Sequence, residues 1–337
     1  MPKKINVALQ GGGAHGAFTW GVLDFMLESE KLEIEAISGT SAGAMNAVVV
    51  ADGLMKGGRE GARTNLEQFW KRISEMGSAS PVQRTLYDIL IGNWNLDYSP
   101  GYVLTDLLTR LASPYEFNPM NLNPLKDMLA EMVDFGRVRS CDRMGIFISA
   151  TSVRTGKVKV FNRDELSADA IMASACLPFV FQAVEINGEA YWDGGYMGNP
   201  VLFPFFYNCR SKDIVIVQIN PLGCQETPKT AREILNRANE ITANSSLLSE
   251  LRAVDFVGRL VKDGKLDPSH YRQMLIHMIG GAQELKGFNA SSKSNAEWAF
   301  LKKLFVIGRR SAKLWLQENF DKLGRESSVD VRAILQN

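Results

Sequence analysis

The chain has 337 residues, of which 45% are hydrophobic and 22% charged, a composition that excludes a disordered or fibrous protein. Its formal net charge of +1 gives no general case for nucleic-acid binding, and no apolar run reaches the roughly 18 residues that a membrane span requires. The four cysteines have no C-x-x-C spacing, so we expect neither a zinc site nor a disulfide framework, and we expect a cytoplasmic location.

The N-terminal sequence predicts two successive strand-turn-helix units. Residues 5–10 (INVALQ) form a short apolar run after two lysines. This superficially resembles a secretory signal, but it ends in glycines with no cleavage-like segment, so we interpret it as a buried strand. Residues 17–29 have helical spacing. The second unit consists of a strand over 34–38, a turn (GTSAG) and a helix over 44–55. Two such units predict a parallel sheet covered by helices.

The remaining pattern predicts strands over 144–153, 157–161 and 213–220, followed by helices. From residue 229 onward every periodic segment, including 268–279 (PSHYRQMLIHMI), indicates a helix. We therefore place a boundary at 225–229, between an α/β domain (1–228) and a helical C-terminal extension (229–337). The aromatic-rich residues 86–122 are compatible both with an interfacial lid and with ordinary packing.

Charge is unevenly divided between these two parts. Residues 1–228 hold 20 Lys and Arg against 25 Asp and Glu, a net charge of −5, and residues 229–337 hold 18 against 12, a net charge of +6. The basic C-terminal part is compatible with peripheral contact on an anionic membrane and also with a solvated helical cap.

The glycine-rich stretch GGGAHG (residues 11–16) follows the first strand and opens a helix. Gly11, Gly13 and Gly16 match the dinucleotide fingerprint, but no acidic residue ends the second strand as that fingerprint requires. Backbone N–H groups at a helix N-terminus also bind a developing anion, so we favour an oxyanion hole.

The candidate nucleophile is Ser41, because Gly39-Thr40-Ser41-Ala42-Gly43 matches the G-x-S-x-G turn on which such serines are presented. The chain has three histidines, His15, His270 and His277, and their positions do not suit a conventional triad. Asp193, which follows a strand-like run and precedes two glycines, is the candidate base.

Four ordered blocks of this sequence resemble those of the patatin-like phospholipases. They are GGGAHGAF (11–18), ISGTSAGAMNA (37–47), ASACLPFVFQAV (173–184) and DGGYMGNP (193–200). The resemblance spans residues 5–221 and implies a three-layer α/β/α sandwich with a mainly parallel sheet. The helical region from 229 resembles an extension found on a bacterial branch of this family.

The resemblance also implies site residues. Ser41 and Asp193 would form a catalytic dyad without histidine, and the amides of Gly11, Gly12 and Gly13 would form the oxyanion hole. His15 departs from the family, which more often has lysine or arginine there, so we expect weaker or pH-dependent anion binding. The motif positions that would support this site are Gly16, Gly39, Gly43, Gly194, Gly195 and Pro178.

We therefore predict a serine acyl hydrolase acting on lipid or acyl-ester substrates, with no metal or other cofactor and no nucleic-acid partner. We place it in the cytoplasm, with peripheral contact at the inner membrane face as an option; the oligomeric state stays undetermined. Two alternatives keep the same fold, namely a polyhydroxyalkanoate depolymerase and a non-catalytic scaffold. The scaffold predicts damage to the dyad or the glycine loop, and the sequence shows none.

Overall fold

Eight strands form a single mixed sheet in the computed structural model, which describes residues 2–224, 226–281 and 284–336. The central strand β1 is paired in parallel with β2 on one side and with β7 on the other, and β8 extends the sheet in parallel beyond β7. The strands are β1 Lys3–Leu9, β2 Leu32–Gly39, β3 Gly145–Ser152, β4 Val158–Asn162, β5 Val184–Ile186, β6 Glu189–Asp193, β7 Asp213–Gln218 and β8 Leu275–Gly280.

The helices differ widely in length. The longest, α2, has non-helical backbone at Gly57 and Gly58, so it is two helices joined at a kink. The helices are α1 Gly16–Glu28, α2 Ala42–Ser78, α3 Leu86–Leu90, α4 Pro100–Leu111, α5 Pro114–Phe117, α6 Pro124–Met132, α7 Phe135–Arg139, α8 Ala168–Ser174, α9 Phe203–Asn208, α10 Ala231–Lys262, α11 Trp298–Asn319 and α12 Val331–Gln336.

Both faces of the sheet are covered, which gives the three-layer α/β/α sandwich that the sequence predicts. Val7 and Leu9 of β1 lie in a core with residues of α1, α2 and α11, whereas Ala8 between them lies in a second core with residues of α9 and α10. Successive strand side chains point to opposite faces, and a strand buried on both faces is therefore apolar throughout.

Strand β3 has different partners along one of its edges. β4 pairs antiparallel with residues 147–151 on one edge, so the opposite edge must hold both β2, paired with residues 145–148, and β6, paired with residues 150–152. β2 and β6 run in opposite directions along this shared edge. Their carboxyl ends, Gly39 opposite Ile148 and Asp193 opposite Ala150, therefore face each other across a gap of one residue of β3.

The prediction of helix over residues 268–279 is wrong throughout, because residues 268–274 form a turn followed by irregular backbone and Leu275–Gly280 is the strand β8. A short apolar run fits a buried strand and a buried helix equally well, and here the exposed edge of β7 supplies the missing hydrogen bonds. Within the predicted boundary at 225–229, Gln225 lies outside the described residues. Residues 229–337 contribute β8 to the sheet, α11 to one core and α10 to the other.

Helices α1 and α11 pack unusually closely because each has a glycine at the crossing. A Cβ on Gly308 of α11 would lie 2.0 Å from the carbonyl oxygen of Phe18, and one on Gly21 of α1 would lie 2.0 Å from that of Phe305. These are backbone atoms, which cannot rotate away. Any side chain at either position must push the two helices apart.

We expect Gly308→Ala to lower the free energy of unfolding by about 1–3 kcal/mol, because overpacking a close contact costs that amount. Gly57→Ala is the matched control, since a Cβ at the exposed Gly57 meets nothing within 4 Å and such a surface change is expected to stay within about 0.5 kcal/mol. Urea unfolding of both variants and the wild type measures the difference. Equal stability of the two variants would contradict the close packing of α1 on α11.

Candidate active site

The turn after β2 holds Ser41 in a strained backbone conformation. Its φ of 54° and ψ of −120° lie in a sparsely populated region, which typically costs about 1–3 kcal/mol. Glycine is needed on either side: a Cβ on Gly39 would lie 2.6 Å from the carbonyl oxygen of Gly43, and one on Gly43 would lie 2.5 Å from that of Leu9. The half-buried Ser41 therefore sits at the N-terminus of α2, where the helix dipole favours negative charge.

Asp193, the last residue of β6, faces this turn across the gap in the sheet. Its backbone is fixed from several directions, because its N–H donates to the carbonyl of Cys176 (2.8 Å) and its carbonyl accepts from the hydroxyl of Thr151 (2.9 Å). The Ser41 side chain lies close enough to the Asp193 carboxyl group to lower its pKa. The fold thus brings together two residues that are far apart in sequence.

Asp193 is 5% exposed, and burial raises the pKa of its carboxyl group from 3.8 to about 6. Removal from water disfavours the charged form. The backbone N–H of Gly195, which donates to Oδ1 at 2.6 Å, and the Ser41 side chain both act in the opposite direction, but burial dominates. The carboxylate is therefore more basic than an ordinary aspartate.

The three predicted oxyanion-loop glycines differ in their hydrogen bonding. The N–H of Gly11 donates to Oδ1 of Asn199 (2.7 Å). The N–H groups of Gly12 and Gly13 have no acceptor within the described part of the chain. Gly11 lies closest to the candidate nucleophile, since a Cβ there would be 2.8 Å from Cβ of Ser41. Gly11 therefore sets the distance between the loop and Ser41, while the backbone N–H groups of Gly12 and Gly13 stay available as donors.

Helix α10 anchors Asn199 and therefore the glycine loop. Asn199 donates its side-chain amide to the carbonyl of Ala243 (3.0 Å), and its backbone N–H donates to the hydroxyl of Ser246 (3.0 Å). Gln10, directly before the loop, donates to Oδ1 of Asn244 at 2.9 Å. Buried hydrogen bonds of this kind fix geometry because breaking one leaves a buried group unsatisfied.

His15 lies buried behind the loop, with its Nε2 2.8 Å from the hydroxyl of Ser292. Burial and the nearby charge of Lys293 lower its pKa to about 3, so the imidazole stays neutral near pH 7 and produces no titration there. The Lys293 backbone packs on this loop, since a Cβ on Gly13 would lie 2.5 Å from its carbonyl oxygen. Its side-chain nitrogen donates to Oδ1 of Asn220 (2.7 Å), whose amide donates to the carbonyl of Gly11 (3.1 Å). Lys293 also lines a cavity of about 510 Å³ together with Glu240.

The other supporting glycines permit close contacts. A Cβ on Gly16 would lie 2.7 Å from that of Ala42, and one on Gly194 would lie 2.3 Å from the carbonyl oxygen of Ser149. Pro178 lies in the turn that follows Cys176, whose carbonyl accepts from the N–H of Asp193.

Sequence reasoning did not single out Asn199 or Ser174, whose hydroxyl accepts from the N–H of Ser41 at 2.9 Å. Both residues lie inside quoted motif blocks. Their partners, however, are distant in sequence and left no local signal.

Neither C-terminal histidine is near the dyad. His277 is fully buried and lies 3.0 Å from Oδ1 of Asp213, the first residue of β7, whereas Ser41 follows the carboxyl end of β2. His270 is exposed and contacts Ser269 and Asp267.

The model of the family described as patatin-like phospholipase matches residues 7–206. The chain belongs to this family. The matched segment begins in β1, ends in α9 and includes the glycine loop, the Ser41 turn and Asp193. Membership supports lipid acyl hydrolysis as the general kind of chemistry. A search among curated proteins finds no match.

Solved structures similar to this patatin-like chain include VipD from Legionella pneumophila, at 15% identity and a TM-score of 0.45, with 94% of this chain and 67% of that chain covered. The type III effector protein ExoU matches at 14% identity and a TM-score of 0.38, covering 94% of this chain and 53% of that chain. Full-length ExoU of Pseudomonas aeruginosa in complex with SpcU matches at 15% identity and a TM-score of 0.32, with 93% and 53% covered. The chain thus spans about half the length of ExoU.

We expect Asp193→Asn to stabilise the protein at pH 8 by up to about 3 kcal/mol, because it removes the cost of burying a charge. Since the folded-state pKa is raised above the ordinary value, the penalty is present above pH 6, shrinks as pH falls from 6 to 4, and vanishes below 4. Urea unfolding at pH 8 and at pH 4 measures both quantities. A variant less stable than the wild type at pH 8 would contradict a costly buried carboxylate.

Proposed function

We propose that the patatin-like chain is a serine hydrolase of lipid acyl esters, with Ser41 as nucleophile and Asp193 as base. The observation that carries the proposal is the convergence of the carboxyl ends of β2 and β6, which brings a strained serine to a buried, basic carboxylate. Placement in the cytoplasm, with peripheral contact at a membrane, belongs to the same proposal. No helix within the described residues has both the length and the apolar composition to cross a bilayer.

In the first step, Asp193 accepts the hydroxyl proton of Ser41 while Oγ attacks the ester carbonyl carbon. The carbonyl oxygen becomes an oxyanion. We assign its stabilisation to the N–H groups of Gly12 and Gly13, because Gly11 already donates to Asn199. Each donor of this kind typically contributes about 10²–10³ in rate. Collapse of the intermediate expels the alcohol, which takes the proton from Asp193, and leaves an acyl group on Ser41.

In the second step, Asp193 takes a proton from water, which attacks the acyl carbonyl. The same loop amides stabilise the second oxyanion. Breakage of the bond to Oγ releases the fatty acid, and the proton returns to Ser41. A carboxylate with a pKa of about 6 is suited to this role, because it is ionised at neutral pH and yet more basic than an exposed aspartate.

Apolar side chains near the dyad favour an acyl chain as the substrate group. Leu177 and Phe179 follow Cys176, whose carbonyl binds Asp193, and Tyr196 and Met197 follow Asp193 in the chain; all four side chains are exposed. Exposed apolar groups at a candidate site are typical of binding surfaces. They suit a lipid acyl chain, and an apolar polyester chain would fit them as well.

We expect Ser41→Ala and Asp193→Asn each to lower kcat/KM for p-nitrophenyl acyl esters by at least about 10³-fold, because removing one member of a catalytic unit removes most of its effect. His270→Ala is the control and should retain full activity, since that side chain is exposed and distant from the dyad. Rates over a series of acyl lengths add the substrate preference. Full activity in Ser41→Ala would refute the proposed nucleophile, and a preference for short hydroxyacyl esters would favour the polyester alternative.

We also expect kcat/KM to rise with pH, with a midpoint near 6 and a plateau above it, because only ionised Asp193 accepts the proton. Protonation of this raised-pKa group favours the folded state, so the loss of activity below pH 6 should occur without loss of structure. Circular dichroism at each pH serves as the control. A midpoint near 4 would show that the carboxyl group in the rate-determining step is not desolvated.

A further inference from the structure

Helix α4 presents its apolar side to solvent. Its residues 101, 102, 106 and 109 are half-buried and include Gly, Tyr, Asp and Thr, and none of its twelve residues is fully buried. The opposite side carries one continuous stripe, since residues three and four apart share a helix face. This stripe consists of Val103, Leu104, Leu107, Leu108 and Leu111, which are between 42% and 76% exposed.

Neighbouring segments continue this exposed apolar character. Helix α3 and the residue after it expose Leu86, Leu90 and Ile91, and the segment after α5 exposes Met120 and Leu122. We call these residues and the α4 stripe the α3–α4 surface. An amphipathic helix ordinarily turns its apolar stripe toward the core, so a stripe turned outward marks a surface that another apolar body covers.

The segment that carries this surface is linked to the candidate active site. The hydroxyl of Tyr115 accepts from the N–H of Ala183 (3.3 Å), and the carbonyl of Asn118 accepts from the side-chain amide of Gln182 (2.8 Å). Residues 182 and 183 belong to the same segment as Cys176, whose carbonyl holds the backbone of Asp193. A body resting on the α3–α4 surface would therefore lie next to the loop that borders the dyad.

The charges in residues 86–122 do not suit an anionic partner. The stretch carries four acidic residues and one basic residue. Each is already engaged: Asp88 and Glu116 cap short helices, Asp97 accepts from Asn289, and Asp106 pairs with Arg110 at 3.0 Å. No unpaired lysine or arginine is available there. The charges of this segment therefore give no attraction to an anionic partner, and its attraction to a partner comes from apolar burial.

The exposed tyrosines indicate what kind of apolar body fits. Tyr87, Tyr98 and Tyr115 are each more than half exposed among the leucines of the segment. Tyrosine has an apolar ring and a polar hydroxyl, and it is enriched where a membrane meets water. A partner of this chemistry is the interface of a bilayer, in which leucines enter the acyl region while hydroxyls stay hydrated.

We propose that the α3–α4 surface docks the protein on bilayers of zwitterionic phospholipid, which carry no net charge, and so brings the dyad to its substrate. This rests on the proposed acyl-ester hydrolysis and adds the surface by which the site reaches lipid. It also assigns docking to residues 86–122 and not to the basic residues 229–337.

The test is cosedimentation of the full-length chain with phosphatidylcholine vesicles. The double variant Leu104→Gln/Leu111→Gln removes two well-exposed leucines and keeps good helix formers. We expect it to weaken partition by about tenfold or more, because apolar area buried in the bilayer is lost. Leu314→Gln is the matched control: Leu314 is also exposed, but it lies in the half of α11 that ends near the amino end of β1, whereas the other end of α11 lies beside Arg84, which precedes α3. It should bind as the wild type does.

The remaining conditions separate docking from catalysis. Hydrolysis of a soluble p-nitrophenyl ester should be unchanged in the double variant, whereas hydrolysis of vesicle phospholipid should fall. Binding is also measured with Ser41→Ala, so an inactive wild type would refute the proposed function while leaving the docking result readable. Raising NaCl from 0.1 to 1 M or adding anionic lipid should not change binding.

Four outcomes would overturn the proposal. They are no vesicle binding by the wild type, equal binding by the double variant, binding that requires anionic lipid and disappears in high salt, and a wild-type dimer that the double variant converts to monomer. The third would assign docking to the basic C-terminal part. The fourth would make the surface a contact between two copies of this chain.

Discussion

Strand β3 must accommodate three neighbours along two edges, and the candidate site depends on how it does so. One edge is taken by β4, so β2 and β6 share the other and meet end to end. The gap between them is one residue long, at Ser149, whose hydroxyl bonds to Thr40 and to the carbonyl of Gly198. The Ser41 turn and the Asp193 turn thus leave the sheet at the same point. Pairing with β3 places both turns, and it therefore fixes the position of Ser41 relative to Asp193.

This arrangement places two energetically unfavourable features next to each other. Ser41 has a strained backbone, and Asp193 carries a buried carboxylate whose pKa is raised to about 6. Both are unfavourable for stability, and both would serve the proposed mechanism: the strained turn presents the hydroxyl, and burial makes the carboxylate a stronger base. The surrounding sheet and the hydrogen bonds to Cys176 and Thr151 hold the pair in place. Stability elsewhere in the fold compensates for the strain.

Residues beyond the matched family segment take part in this support. Helix α10 holds Asn199 and Gln10, and through them the glycine loop, while Lys293 donates to Asn220, whose amide donates to the carbonyl of Gly11. The C-terminal part therefore contributes to the geometry of the candidate site and to both cores. The α3–α4 surface lies on a different part of the chain and has few buried contacts of its own. The residues that hold the glycine loop in place and the exposed apolar residues of the α3–α4 surface thus belong to separate segments of the chain.

The sequence by itself determined the features that depend on local chemistry. Alternating turns and apolar runs predicted β1, α1, β2 and the start of α2, and the glycines around Ser41 indicated a tight turn, because backbone sterics act over a few residues. Only the tertiary structure decided what depends on distant partners. The run around His277 became a strand because β7 had an open edge, and the N–H of Gly11 was taken by Asn199. The pKa of Asp193 likewise follows from burial, which no local pattern encodes.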